Sequence, residues 1–118
     1  MAKNELADIS MDFAVKIIEL VKYLKERKES IISNQIGRSG TSIGANIREA
    51  HFAHSTPDFI SKLEISLKES AETGFWLDLL YKTGYIDEAY HKELDSLCTS
   101  IRLKLIASCK TVKKIDHV

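Results

Sequence analysis

Apolar residues recur at alternating intervals of three and four along most of the chain. In one stretch, Ile36, Gly40, Ile43, Ile47 and Ala50 follow this spacing, which places them on one face of an α-helix. Three further segments show a comparable period, and no alternating β-type run interrupts them. The pattern predicts four helices, over residues 9–28, 34–54, 57–83 and 87–114.

Polar and turn-forming residues separate these segments. The run Ser55–Asp58 is a strong helix start, because a hydroxyl can cap the helix and proline suits its first turn. Gly84 can end the third helix, and Asp87 can cap the fourth. The expected caps of the first two helices are Asp8 or Ser10, and Ser33 or Asn34. Short connections favour antiparallel neighbours, so residues 1–118 predict a single all-α domain, an antiparallel up-down four-helix bundle.

Three glycines fall inside the second predicted helix. Gly37, Gly40 and Gly44 each cost up to about 1 kcal/mol relative to alanine in a helix. Their presence indicates that another helix approaches this one closely.

Polar residues lie beside the apolar face of the second helix, and charged residues cluster on the third. We expect them to form hydrogen-bonded ion pairs that fix the register of the two helices. The alternative is an active site with a general acid and base, which would require an open polar pocket around Asn46, Glu49, Lys68 and Glu72. The full structural polar cluster comprises Ser39, Ser42, Asn46, Glu49, Lys68, Glu69 and Glu72.

The third predicted helix is apolar on two sides. One stripe comprises Ile60, Leu63, Leu67, Ala71 and Gly74. Because a helix of a four-helix bundle turns only one side to the core, the second apolar side predicts contact with another copy of the chain. We therefore expect a homo-oligomer whose candidate interface contains Ile65, Trp76, Leu79 and Leu80.

Seventeen basic and seventeen acidic residues leave the chain without net charge, which removes the simplest argument for binding nucleic acid. Basic residues nevertheless concentrate in residues 22–48, where six face two acidic ones. Contacts from such a zone to phosphates would be independent of base sequence and sensitive to salt. The candidate nucleic-acid-binding residues are Lys22, Lys25, Arg27, Lys28, Arg38 and Arg48.

Other chemistries have little support among the residues. A di-iron bundle needs two Glu-x-x-His repeats on facing helices, and only Glu88–His91 matches. His51 and His54 lack a complementary ligand set elsewhere. A helix-turn-helix at residues 39–51 conflicts with the apolar face that continues straight through the glycines. We therefore expect no metal, cofactor or small-molecule substrate.

The two cysteines and the hydropathy pattern indicate a compartment. Cys98 and Cys109 lie on one predicted helix about 16 Å apart along its axis, too far to form a disulfide with each other. No apolar run approaches the roughly 20 residues of a membrane span, and no secretory leader is visible. We expect a cytoplasmic protein with reduced thiols and no membrane contact.

Two motifs together resemble a known family. The motif R-S-x-T-S-I-x-A-N-I-x-E-A at residues 38–50 is followed by K-E-x-x-E-T-x-x-W-L at residues 68–77. In these motifs, and over about residues 10–110, the chain resembles the four-helix-bundle proteins encoded within intervening sequences of bacterial 23S ribosomal RNA genes. The matched positions are Arg38, Ser39, Thr41, Ser42, Ile43, Ala45, Asn46, Ile47, Glu49, Lys68, Glu69, Glu72, Thr73, Trp76 and Leu77.

The resemblance implies a bundle that assembles as a homopentameric ring. A similar ring is formed by the accessory protein of diversity-generating retroelements, a basic, nucleic-acid-associated pentamer that works with a reverse transcriptase. For the intervening-sequence family the resemblance implies no established activity, only a role with RNA. The present chain differs from the retroelement protein in its zero net charge.

Three functions follow from these observations. The first is a non-enzymatic, oligomeric accessory protein that associates with RNA or a nucleoprotein. The second is a protein-interaction scaffold that binds no nucleic acid. The third is an enzyme built on the structural polar cluster.

Overall fold

Four helices, α1 (Glu5–Glu26), α2 (Ile31–Ala50), α3 (Thr56–Lys82) and α4 (Glu88–Asp116), make up the computed structural model. It describes the backbone of residues 5–116 and the side chains of residues 5–113. Each helix packs against the next, and α4 returns to α1 through the least extensive of the four contacts. The predicted all-α up-down four-helix bundle is confirmed.

The core is formed by the apolar faces that the spacing indicated on α2 and α4. Ile36, Ile43 and Ile47 of α2 are buried, as are Leu94 and Ile101 of α4. The predicted apolar stripe on α3 is only partly correct, because Leu63 and Gly74 are buried but Ala71 is exposed. The remaining fully enclosed large side chains are Phe13, Ile17, Leu20, Leu24, Leu77, Leu80 and Leu105.

On α3 the buried face is more polar than the sequence pattern suggested. Ser66, Ser70 and Thr73 are buried, whereas Ala71, a member of the predicted stripe, is exposed. A hydroxyl can be buried in a helix at low cost because it donates to a nearby carbonyl oxygen. Thr73 Oγ1 lies 2.8 Å from the Glu69 carbonyl oxygen and Ser70 Oγ lies 2.6 Å from that of Leu67. Small polar side chains therefore occupy core positions that a hydropathy pattern assigns to the surface.

The first two helix starts differ from the prediction. α1 is already helical at Glu5, ahead of the expected caps Asp8 and Ser10, and Ser10 instead donates to the Ala7 carbonyl oxygen. α2 begins at Ile31 because the carboxylate of Glu29 accepts from three backbone N–H groups, those of Ile31, Ile32 and Ser33, at 3.1, 3.0 and 2.8 Å. Those N–H groups have no partner within the helix. α2 also ends at Ala50 rather than at residue 54.

The boundaries of α3 and α4 are close to those predicted. Ser55 Oγ accepts from the backbone N–H of Asp58, and the Asp87 carboxylate accepts from that of Tyr90. Gly84 adopts a φ of 83° after the last turn of α3, and Tyr85 N–H reaches back to the Leu80 carbonyl oxygen. This glycine-ended hydrogen-bond pattern is a common helix stop.

The glycines of α2 allow α1 to approach closely, as their positions indicated. A Cβ added at Gly40 would lie 2.8 and 2.9 Å from Cγ1 and Cγ2 of Ile17, which is fully buried. At Gly44 the nearest atoms belong to Ser10, at 3.3 Å. Contact between α1 and α2 at Gly40 therefore leaves no room for a side chain.

None of the helices in the described part of the chain combines the length and the hydropathy needed to cross a bilayer.

Replacement of Gly40 by alanine should lower the free energy of unfolding by about 1–3 kcal/mol, the usual range for overpacking a core. Ile17 is enclosed on all sides and cannot move away from the new methyl group. Urea unfolding followed by circular dichroism measures the change.

Gly37→Ala is the matched control. Its added Cβ would meet Cγ2 of the partly exposed Val21 at 3.3 Å, and this neighbour can yield towards solvent. Alanine also favours the helix by up to about 1 kcal/mol, so the control should be neutral or stabilising. Equal effects of the two substitutions would refute close packing at Gly40.

Candidate functional site

An ion-pair group joins α2 to α3 at the point where the two family-like motifs meet. The guanidinium of Arg38 donates through Nη1 to Glu69 Oε1 at 3.2 Å and through Nη2 to Glu72. Trp76 Nε1 donates to the same Glu72 carboxylate at 2.9 Å. The side chains of Arg38, Glu69, Glu72 and Trp76 are thus held by one another across two helices.

The electrostatics of this group follow from its hydrogen bonds. The pKa of Glu72 is lowered, first by the hydrogen bond from Trp76 and then by that from Arg38. The pKa of Arg38 is raised chiefly by its hydrogen bond to Glu72. Both side chains therefore remain charged at neutral pH, and the carboxylate is a poor proton acceptor.

Smaller hydroxyl contacts continue the α2–α3 interface beneath the ion pairs. Thr73 Oγ1 and Ser39 Oγ share a hydrogen bond at 2.9 Å, and Ser66 Oγ donates to the Ile43 carbonyl oxygen at 2.8 Å. Each of these contacts requires one relative position of the two helices. They support the expectation that polar groups fix helix register here.

The other members of the predicted structural polar cluster lie apart from this group. Ser42 Oγ and Asn46 Nδ2 donate to carbonyl oxygens of α2 itself, those of Arg38 and Ser42. Glu49 pairs with Lys62 at 3.2 Å, nearer the other end of the helix pair. Lys68 is exposed and influences Glu72 through its charge. The residues of the hypothetical active site are distributed along the α2–α3 contact and do not converge on one pocket.

Four of the six candidate nucleic-acid-binding residues lie together at one end of the bundle. Lys22, Lys25, Arg27 and Lys28 are exposed on the last turns of α1 and on the turn that follows; we call them the basic end. Lys25 Nζ donates to Asn34 Oδ1, and the Arg27 guanidinium lies 3.9 Å from the Tyr23 ring centroid. None of the ion pairs found among the described residues involves these four side chains.

Neither of the remaining two candidates belongs to the basic end. Arg38 is paired with Glu69 and Glu72. Arg48 lies in the last turn of α2, which the antiparallel topology places at the opposite end of the bundle. The sequence grouped these residues because they are close along the chain.

The surface of the basic end is more positive than the sequence implies, because the carboxylate of Glu29 is buried and not exposed there. Glu29 is one of two acidic residues in this zone, but its side chain is buried against the first turn of α2. A carboxylate at a helix N-terminus is compensated by backbone N–H groups and by the helix dipole. Glu26 is then the acidic side chain of this zone that is exposed to solvent.

The candidate oligomer interface contains one residue that cannot take part. Leu80 is fully buried within the bundle, which corrects its assignment to the surface. Ile65 is exposed, while Trp76 and Leu79 are partly buried against the core. The candidate interface is therefore reduced to Ile65, Trp76 and Leu79.

A second apolar surface lies on α1, where the sequence analysis did not place one. Met11, Val15 and Ile18 are exposed at spacings of four and three, a signal that the sequence does contain. Beside them, a groove between α1 and α2 includes a cavity of about 460 Å³. Its lining residues are Ala7, Ser10, Met11, Ala14, Thr41, Gly44, Ala45, Arg48, Glu49 and His51.

The thiols are free and buried, as expected. Burial raises the pKa of Cys98 to about 11, against a smaller lowering effect of Arg102. Burial also raises the pKa of Cys109. Neutral, enclosed thiols are poor nucleophiles and poor metal ligands.

Comparisons with known proteins place these features in a family. The sequence model of the family described as 23S rRNA-intervening sequence protein matches residues 2–107 of the chain. A crystal structure from Bacteroides thetaiotaomicron VPI-5482, described as a protein with unknown function from the S23 ribosomal protein family, is 50% identical and has a TM-score of 0.88. That match covers 89% of this chain and 98% of the other. No curated protein matches the chain.

Glu72→Gln should reduce stability at neutral pH by about 1 kcal/mol or less, because 34% of the Glu72 side chain is exposed and solvent screens its contacts. The folded-state pKa lies below the ordinary 4.5. Ionised Glu72 therefore stabilises the fold fully at pH values above 4.5. This stabilisation is lost as the pH falls through the lower pKa that Glu72 has in the folded state. Urea unfolding at a series of pH values between about 7 and 2.5 measures the difference.

Glu49→Gln serves as the control, because Glu49 is more exposed and contacts the single cation Lys62. Its effect at neutral pH should stay below about 0.5 kcal/mol. A Glu72→Gln deficit that does not shrink on acidification would contradict the assigned role of the carboxylate.

Proposed function

Since the chain belongs to the 23S rRNA-intervening sequence protein family, we propose that it is a non-enzymatic, self-associating accessory protein that contacts RNA or a nucleoprotein. The observation that carries the proposal is the basic end. Its four cations are exposed, clustered and without carboxylate partners among the described ion pairs. Side chains of this kind suit phosphate contacts, which position a protein on nucleic acid without reading bases.

The conformation of Lys28 supports a role beyond folding. Lys28 has a φ of 62° at the end of α1, and Glu29 N–H closes the turn on the Leu24 carbonyl oxygen. Glycine would avoid a backbone cost of roughly 1–2 kcal/mol at this position. The turn alone would favour glycine, and we take the lysine found here as support for the proposed phosphate contact.

The proposed oligomer is a homopentameric ring. A closed ring requires two different, complementary surfaces on each subunit. The apolar side of α3 around Ile65 and Trp76 is one such surface, and the exposed stripe of Met11, Val15 and Ile18 on α1 is a second. A ring would also repeat the basic end around its axis, which raises the local positive charge presented to RNA.

The absence of enzymatic activity is part of the proposal. It is supported by the arrangement of Asn46, Glu49 and Glu72, which engage different partners along α2 and α3. General acid–base catalysis requires such groups within reach of one substrate.

Exposed aromatic and aliphatic residues favour one second candidate, a protein-interaction scaffold without nucleic-acid binding. Phe75 is 58% exposed and Leu103 is 62% exposed. Such residues can anchor a protein partner. The RNA titration below distinguishes the two functions.

The triple variant Lys22→Glu, Lys25→Glu, Lys28→Glu should bind a structured RNA at least about tenfold more weakly than the wild type at low salt. Each lost phosphate contact should also reduce the slope of log affinity against log salt by about 1. Fluorescence anisotropy with labelled RNA at several salt concentrations measures both quantities.

The matched control is Lys68→Glu, Lys110→Glu, Lys113→Glu, which changes the net charge equally at exposed positions away from this end of the bundle. It should retain most of the affinity. Equal losses in the two triple variants would remove the basic end as the binding site. No RNA binding by the wild type at low salt would leave the scaffold as the function.

Ile65→Glu should dissociate the oligomer without loss of helix content, because a buried carboxylate in a subunit contact lacks a partner. Light scattering gives the mass and circular dichroism gives the helix content. Phe52→Glu, at an exposed aromatic position of the α2–α3 turn, should keep the oligomer intact. An unchanged mass for Ile65→Glu would place the interface elsewhere.

A further inference from the structure

Three side chains of metal-binding type converge between α3 and α4. Asp78 lies one turn before the end of α3, and His91 and Asp95 lie one turn apart near the start of α4. One ligand atom of each residue lies within 4.8 Å of those of the other two. His91 Nε2 and Asp78 Oδ1 are 2.8 Å apart.

The imidazole is held in place rather than free to rotate. The His91 ring stacks on Tyr81, with centroids 5.0 Å apart and planes at 30°, and only 19% of its side chain is exposed. Its Nε2 is therefore held against the Asp78 carboxylate before any ion arrives. An ordered donor reduces the entropy that binding must otherwise remove.

The donor set selects a class of ion. One imidazole nitrogen and two carboxylate oxygens suit first-row divalent metals such as Zn²⁺. Mg²⁺ and Ca²⁺ prefer ligand sets made entirely of oxygen. Ligands of a tetrahedral Zn²⁺ lie about 3.4 Å apart for bonds of roughly 2.1 Å. The 2.8 Å between His91 Nε2 and Asp78 Oδ1 is shorter than this, and a small rotation of the Asp78 side chain, of which 59% is exposed, would widen it to admit the ion.

We propose that Asp78, His91 and Asp95 form a binding site for a divalent transition-metal ion, represented by Zn²⁺. On binding, Nε2 donates its lone pair to the ion, and the proton it carries moves to Nδ1 or leaves to solvent. Three protein ligands leave at least one coordination position for water or an external ligand. The search for Glu-x-x-His pairs missed this site because its ligands are spaced His-x-x-x-Asp on α4 and the third comes from α3.

The ion would link α3 to α4 close to their connecting turn. A ligand that binds only the folded state stabilises that state in proportion to the logarithm of its concentration. At a Zn²⁺ concentration about tenfold above Kd, the melting temperature should rise by about 5 °C for a chain of this size. This inference does not depend on RNA binding or on the oligomeric state.

The test is calorimetric titration of Zn²⁺ into the full chain after removal of any affinity tag. We expect one ion per chain with a Kd in the micromolar range. His91→Gln and Asp95→Asn should each weaken binding by at least about tenfold and abolish the thermal shift. Both positions lie at the surface or partly exposed, and circular dichroism verifies that the variants remain folded.

His54→Gln is the matched control, because His54 is an exposed histidine outside this cluster. It should leave the affinity unchanged. Two results would overturn the proposal: absence of binding up to millimolar Zn²⁺, or binding that survives His91→Gln. The absorption spectrum of the Co²⁺-loaded protein gives an independent readout, since loss of a nitrogen ligand in His91→Gln changes it.

Discussion

The close contact that α2 makes with both of its neighbours is the constraint on which the rest of the bundle depends. On one flank Gly40 admits Ile17 of α1 with no space for a Cβ. On the other flank, Ser39 shares a hydrogen bond with Thr73 of α3, and the Ile43 carbonyl oxygen accepts one from Ser66 of α3. A helix with such small side chains brings its neighbours close enough for backbone atoms to act as partners. The unusual composition of residues 37–46 is explained by this requirement.

The hydroxyl contacts between the small residues of α2 and α3 already favour one register of the two helices. The ion pairs of Arg38 with Glu69 and Glu72 reinforce it, because a guanidinium fork and two carboxylates one turn apart match in only one register. Trp76 completes this arrangement by donating to Glu72. The two motifs that carry the family resemblance are therefore the two halves of one helix–helix contact.

The sequence predicted the fold well and the site only in outline, for physical reasons. Helix periodicity identified all four helices, and the caps at Ser55 and Asp87 are local signals that a sequence shows directly. The start of α2 was missed because Glu29 caps it with a longer side chain than the usual cap residues. The core face of α3 was missed because serine and threonine satisfy their hydroxyls within the helix, which hydropathy does not register. Leu80 was misplaced since a helical wheel cannot say how far the core extends around α3.

Sites assembled from separate helices were the least accessible from sequence. The six candidate basic residues are contiguous along the chain, yet the antiparallel turn sends Arg48 to the opposite end and the α2–α3 contact neutralises Arg38. Asp78, His91 and Asp95 came together only when α3 and α4 were paired. Periodicity places residues on a face, but partners across a turn depend on where each helix begins and ends.

Net charge is a poor guide to this surface, because several of its charges cancel in local ion pairs. The ion pairs Lys16–Glu93, Lys62–Glu49, Lys104–Glu5 and Lys113–Glu64 are each neutral. Glu29 is compensated by the backbone of α2. At one end of the bundle the charge is unevenly distributed. The cations of the basic end lie on the α1–α2 side, and the Asp78–His91–Asp95 cluster lies on the α3–α4 side. A divalent ion in that cluster would neutralise the charge of its two carboxylates and so make this end of the bundle less negative, and through this change in charge metal binding and phosphate binding would favour each other.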